Sequence, residues 1–148
     1  MRRKSDANAY LAEVPLFTGC NLKELSAIAS LTFETLAMPG HELCREGEHG
    51  SECFIIVDGE AEVTMAGRSF ATIGPGGVIG ELALLDGRPR VATVTATTPM
   101  RLLALSRREF SSLLVRVPHV GRRLLTVVGA RLREMDELAV AASKPSPA

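Results

Sequence analysis

Glu81 and Arg90 stand nine residues apart in GELALLDGRPRVATV, the stretch from Gly80 to Val94, and they are a pair of side chains suited to gripping a small anion. A guanidinium offers a planar fork of donors that matches phosphate oxygens, a task for which arginine is better shaped than lysine. An ionised carboxylate only accepts hydrogen bonds, so Glu81 suits a hydroxyl donor such as a ribose 2′-OH. Between them, Leu82 to Leu85 are helix-compatible. A helical turn starting there leaves the N–H groups of its first residues without intrahelical partners and open to an anion. Gly80 carries no side chain, so a ligand can come close to the backbone. One acceptor, one cationic fork and several open N–H groups in an apolar setting fit a sugar phosphate of single charge.

A second set could do different chemistry. His41, Cys44, His49 and Cys53 supply four nitrogen and sulfur ligands of the kind zinc takes. Cys44 and Cys53, however, fall on expected strands at positions that want small hydrophobes, and cysteine commonly fills such positions for packing alone. The two histidines sit near turns rich in Gly and Glu, where exposure is usual. No metal is expected there, and the three cysteines read as reduced thiols. An enzyme is not expected either. The pattern brings no Ser/His/Asp or Cys/His set together, and there is no Walker-type loop. Glu81 beside open N–H groups should be held ionised, which makes a poor general base near pH 7.

These residues need a scaffold, and the chain is long enough for one domain: 148 residues, 46% hydrophobic, with no Trp. Its core must rest on Val, Leu, Ile and Ala. No apolar run approaches the roughly 18 residues of a membrane span. The basic start Met1 to Asp6 is not followed by the apolar stretch of a signal peptide, so a cytoplasmic protein is expected. Net charge is zero, which offers no global attraction to nucleic acid. Arginines gather over 101–133 with Glu109 the sole acid. That distribution reads as a solvated helix face.

Between 31 and 106 the sequence is strand-like. Thr32–Leu36, Cys53–Val57, Ala61–Met65 and Phe70–Ile73 are separated by Pro39-Gly40, Glu46-Gly47, Asp58-Gly59, Ala66-Gly67 and Gly74–Gly77. Such spacing predicts a small antiparallel barrel or sandwich, with Asp58-Gly59 as a hairpin turn. Asn21 with Glu24, and Ser106 with Glu109, are capping-box signatures. They predict one helix through Ser30 and another ending near Val117. A third opens at Pro118 and runs to about Ala142. On it Leu125, Val128, Leu132, Met135, Ala139 and Ala142 form one stripe, with Leu124, Val127 and Leu138 beside it. The helix could therefore pack on its own barrel and also on a second copy.

With these elements placed, Gly80 to Val94 resembles the phosphate-binding cassette of cyclic-nucleotide-binding domains. The likeness holds for the protein kinase A regulatory-subunit type and for the bacterial catabolite-activator type. It rests on Gly-Glu-Leu-Ala, then Pro89-Arg90, then Ala92-Thr93-Val94, and on Gly47, Gly59 and Gly80 at that family's glycine positions. The resemblance spans roughly residues 14 to 140. It implies an α+β fold, mainly β with flanking helices. The fold would be a small antiparallel β-barrel, a double-stranded β-helix or jelly roll, with one N-terminal and two C-terminal helices. The domain would occupy 14–142, between an N-terminal tail at 1–13 and a disordered tail at 143–148.

The resemblance also implies roles. Glu81 would hold the ribose 2′-OH and Arg90 the cyclic phosphate, helped by the N–H groups of Leu82 and Ala83. Val63, Phe70, Ile73 and Ile79 would wall ribose and base, and Arg131 and Met135 would close over the base. Val91 stands where cGMP-preferring members usually carry Thr and some bacterial cAMP receptors Ser. Lacking that hydroxyl, the site is expected to prefer cAMP over cGMP, with no cofactor beyond this ligand. The expected function is a regulatory sensor whose ligand repositions the C-terminal helices toward an unidentified effector, with a homodimer through the last helix possible. The chain ends six residues past that helix, so no helix-turn-helix and no DNA binding are expected within it. It would stand alone or belong to a longer protein, such as a transcription regulator. The competing expectation is a barrel that binds no nucleotide and serves as a protein-interaction domain.

Overall fold

The run Cys53-Phe54-Ile55-Ile56-Val57 leaves no polar face for solvent, which fits a strand covered on both sides. The computed structural model, which describes residues 9–80, 89–126, 129–130 and 133, gives it that place. The described strands are β1 (Phe33–Ala37), β2 (Glu42–Cys44), β3 (Glu52–Asp58), β4 (Ala61–Met65), β5 (Arg68–Ile73), β6 (Val78–Ile79), β7 (Thr93–Ala96) and β8 (Met100–Ser106). They form two four-stranded sheets, ordered β1-β8-β3-β6 and β2-β7-β4-β5, with all pairings antiparallel.

Because side chains alternate along a strand, β3 and β8 feed two cores at once. Phe54, Ile56, Leu102 and Ala104 turn toward β4 and β7, where Val63 and Val94 meet them. Cys53, Ile55, Leu103 and Leu105 turn the other way, onto Leu25, Ile28, Phe110 and Leu113 of the helices. The chain changes sheet at every connection except β4 to β5. That winding is the jelly-roll arrangement expected from the sequence.

Two capping boxes start the helices α1 (Leu22–Leu31) and α2 (Arg107–Arg116). The Asn21 and Ser106 side chains accept from the main chain of Glu24 and Glu109, whose carboxylates accept in return. The Asn21 N–H, then the His119 side chain, hold the Glu24 carboxyl below the usual range. The Ser106 hydroxyl, then its N–H, do the same for Glu109. A lowered folded value means that each cap stabilises above the ordinary carboxylate range and is lost as pH falls through the lowered one. The helix is interrupted at Val117 and resumes over 118–126, with Pro118 in the first turn. Leu124 is buried in the helical core, while its neighbour Leu125, the first member of the expected stripe, is 69% exposed. The stripe's remaining members, Val128 to Ala142, lie outside the described residues. At the other end, residues 9–12 are helical and Leu11 is fully buried, so packing begins ahead of the boundary expected at 14.

One expected turn is different. Asp58-Gly59 does not close a hairpin, because β3 and β4 belong to different sheets. Gly59 has φ +93°, and a Cβ there would meet the main chain of Pro99 and Met100, so the glycine serves a crossing between sheets. The tight hairpin is β4–β5. Met65 pairs with Arg68 across Ala66 (φ 52°) and Gly67 (φ 76°), both left-handed, as a type I′ turn requires. Alanine is strained in that region, and the Glu46 carboxylate supports it by accepting from the Ala66 N–H at 3.2 Å. Ala66→Asn keeps that N–H and suits the turn, so it should raise stability by about 1 kcal/mol in urea unfolding. An unchanged or lower midpoint would contradict the turn assignment.

Candidate functional site

Arg90 is 8% exposed, and it is the buried charged side chain among the described residues. A buried guanidinium must find acceptors, and main-chain carbonyls supply them. Its Nη1 donates to Gly80 O at 3.0 Å and its Nη2 to Glu52 O at 2.6 Å. The main chain is fixed as well: Arg90 N–H donates to Glu48 O (2.8 Å), and Arg90 O accepts from Gly47 N–H (2.9 Å). Gly47, at φ +84°, makes the turn that brings this loop back to Arg90.

Two glycines give the guanidinium its space. A Cβ on Gly50 would fall on Nε, Nη2 and Cζ of Arg90, and one on Gly80 would fall on Nη1. Gly80, at φ +86°, was expected to let a ligand approach the backbone; here the arginine head is what approaches. With two N–H groups engaged, the fork keeps further donors, and among the described residues no carboxylate pairs with it. A cleft of about 230 Å³ opens beside it, lined by residues 42–45, 48–50 and Arg90. The other arginine there, Arg45, is engaged by Glu42 (2.7 Å) and Glu48 (3.3 Å). Among the described residues lining this cleft, Arg90 is thus the arginine that no carboxylate engages.

Of the expected site residues, Gly80 and Arg90 are brought together. Val63 (8% exposed) and Ile79 (2%) lie in the core between the sheets, with Phe70 and Ile73 half-buried against it. These four share an apolar environment at the sandwich interior. Val91 is half exposed and adjoins the arginine. Glu81, Leu82, Ala83, Arg131 and Met135 lie outside the described residues. Sequence reasoning missed Gly50 and Glu52, which seat the guanidinium from 40 and 38 positions away. The available signal was the glycine of His49-Gly50-Ser51-Glu52 just ahead of an apolar strand.

The zinc set is not assembled. Cys44 packs between the sheets and Cys53 under the helices, while His41 and His49 are exposed. None of the three cysteines is in a disulfide.

The family model described as "Cyclic nucleotide-binding domain" matches residues 34–116. A cAMP-dependent protein kinase regulatory subunit of Yarrowia lipolytica is 36% identical over 115 residues, covering 76% of this chain and 31% of that protein. The cyclic AMP receptor protein of Thermus thermophilus is 32% identical over 127 residues, covering 82% of this chain and 59% of that one. Among solved structures, cAMP-bound PfPKA-R (141–441) superposes with a TM-score of 0.84 at 27% identity, over 92% of this chain and 47% of that one. The regulatory subunit of a cAMP-independent protein kinase A from Trypanosoma brucei superposes at 0.75 with 28% identity, over 84% of this chain and 46% of that one. A triple mutant of that protein, one of whose substitutions puts arginine in place of threonine, is bound to cAMP. The chain thus spans between about a third and three fifths of the length of these curated relatives. Its matched region runs from β1 to the end of α2 and includes Arg90 at the foot of the cleft: the chain belongs to the cyclic nucleotide-binding domain family.

Proposed function

We propose that this chain is a regulatory module that binds a cyclic nucleotide monophosphate through Arg90 and prefers cAMP to cGMP. The observation that carries the reading is the buried guanidinium, seated by two carbonyls and with donors to spare. In this reading Glu81 takes the ribose 2′-OH, and the N–H groups of Leu82 and Ala83 join Arg90 on the phosphate. Val63, Phe70, Ile73 and Ile79 wall the ribose and base, and Arg131 and Met135 close over the base. The preference for cAMP follows from Val91, which has no hydroxyl to offer guanine or phosphate.

Binding would reach the helices by a short route. Arg90 holds Glu52 O, and Glu52 pairs with Ser106, the N-cap of α2. Next to that pair, Arg107 N–H donates to Ser51 O (2.9 Å) and its Nη2 to Gly50 O (3.2 Å). A phosphate that draws Arg90 off Glu52 therefore loosens or shifts the start of α2, and with it the helix after Pro118. Ligand biases that equilibrium only by its difference in affinity for the two arrangements. A downstream effector and a homodimer through the Leu125 stripe would read the change.

Titration calorimetry with both nucleotides tests the reading, and thermal unfolding repeats it. At a hundredfold excess over Kd, cAMP should add about 2.7 kcal/mol of stability, a rise on the order of 5–10 °C. Tighter cGMP binding would reject the preference. No shift with either nucleotide at millimolar concentration would favour the interaction-domain reading. A second variant probes the seat itself. Gly50→Ala puts a methyl group where the guanidinium lies, and should weaken cAMP roughly ten- to a hundredfold, or about 1.4–2.8 kcal/mol. Full affinity in that variant would place the phosphate away from Arg90.

A further inference from the structure

The structure assigns a second site, for a zinc ion, to Cys20, Glu24 and His119, where the start of α1 meets the helix that opens at Pro118. It does not depend on the nucleotide reading. The three side chains bring sulfur, oxygen and nitrogen donors within 4.8 Å of one another, and among the described residues they are the group of three or more metal-capable side chains that does so. Two of the donors converge on one atom: His119 Nε2 lies 2.8 Å from Glu24 Oε2 and 4.0 Å from Cys20 Sγ.

Those separations are near what a tetrahedral zinc would set. Bond lengths of about 2.3 Å to sulfur and 2.0–2.1 Å to nitrogen and oxygen put N···S near 3.6 Å and N···O near 3.3 Å. Relative to His119 Nε2 the carboxylate would move outward by about 0.5 Å and the thiol inward by about 0.4 Å, while sulfur and carboxylate oxygen, within 4.8 Å of each other, would close toward about 3.6 Å. Much of the scaffold is already rigid. Glu24 is held through its other oxygen, Oε1, which accepts from Asn21 N–H at 3.0 Å, while Oε2 meets His119 Nε2 at 2.8 Å, a contact that a bound ion would replace. Cys20 directly precedes that cap, and its N–H donates to Phe17 O at 3.1 Å. All three side chains are half-buried, so a fourth position stays open to water.

The set mixes ligand types that zinc accepts, and its thiolate disfavours calcium and magnesium, which take oxygen. An ion bound there would tie α1 to the helix after Pro118 across 95 to 99 positions of sequence. The ordinary alternative is a Glu24–His119 ion pair beside a cysteine that binds nothing.

Cobalt(II) serves as the spectroscopic probe on the full chain under reducing conditions. The expected result is one equivalent of Co²⁺ giving a thiolate-to-cobalt charge-transfer band and tetrahedral d–d intensity, displaced by Zn²⁺. Cys20→Ser should abolish the band, and His119→Gln should weaken Zn²⁺ at least about tenfold, since even an outer-shell partner costs that much. Cys44→Ser, at a buried position away from the site, should keep the band; if it unfolds, added Zn²⁺ raising the melting temperature of the unaltered protein but not of Cys20→Ser makes the same distinction. The inference is overturned if Co²⁺ gives only weak octahedral bands, if the band survives Cys20→Ser, or if Zn²⁺ leaves the melting temperature unchanged.

Discussion

Arg90→Ala is expected to weaken cAMP binding by roughly 2–5 kcal/mol, which is about 30- to 5,000-fold. The range reflects removal of one partner from a desolvated charge pair, where the other charge is left without compensation. The geometry adds a structural cost that has to be separated from the loss of binding. Gly80 O and Glu52 O both accept from this guanidinium, and truncation leaves them without that donor in a partly buried setting. Each such orphan costs on the order of 1–3 kcal/mol. Stability without nucleotide should therefore fall together with affinity, and unfolding must be measured beside calorimetry. Arg90→Lys separates the two effects. Lysine keeps the charge but lacks a rigid fork that reaches both carbonyls and a phosphate, so it should fall between wild type and alanine in affinity. A folded Arg90→Ala protein that binds cAMP at full strength would remove Arg90 from the site.

How much of this could be read from the sequence depended on how local each cause was. The two capping boxes were legible because Asn21 with Glu24 and Ser106 with Glu109 act within one helical turn. The double burial of β3 was legible because Cys53 to Val57 has no polar face. Asp58-Gly59 was misread for an equally physical reason. Its turn chemistry is local, but whether the next strand pairs or crosses is decided by the partners of β4, which lie near positions 68–73 and 93–96. The true hairpin was masked by Ala66, which fills a position where Asn or Gly is the usual signal. In the site, Arg90 was legible because the cassette around it is contiguous. Its seat was not, since Gly50 and Glu52 reach it only through the fold. The metal-capable residues repeat the lesson. His41, Cys44, His49 and Cys53 are close in sequence and are parted by burial, whereas Cys20 and His119, 99 positions apart, are brought face to face.

Leu113→Ala carries the second large effect, a loss of about 2–5 kcal/mol of stability and a drop in melting temperature on the order of 10 °C. Leu113 is fully buried on α2, in the core that also holds Leu25 and Ile28 of α1, Leu103 and Leu105 of β8, and Val120 and Leu124 of the following helix. Removing its side chain withdraws contacts from three helices and a central strand at once. Relaxation should be small, because β8 is pinned between β1 and β3 and will not move to fill the space. Leu114, next along and only half-buried, is the internal control and should lose clearly less as alanine. Nucleotide affinity measured well below the transition discriminates between two roles for the helical layer. If the helices only cover the sheet, affinity should stay within a few-fold, since Arg90, Gly50 and Gly80 are untouched. If binding shifts α2 through Glu52 and Ser106, and loosening Leu113 changes the energy difference between the two arrangements, affinity should change with it, by up to that amount. A stability loss below about 1 kcal/mol would contradict the shared core itself, because a deeply buried leucine cannot be truncated so cheaply in a layer packed in this way.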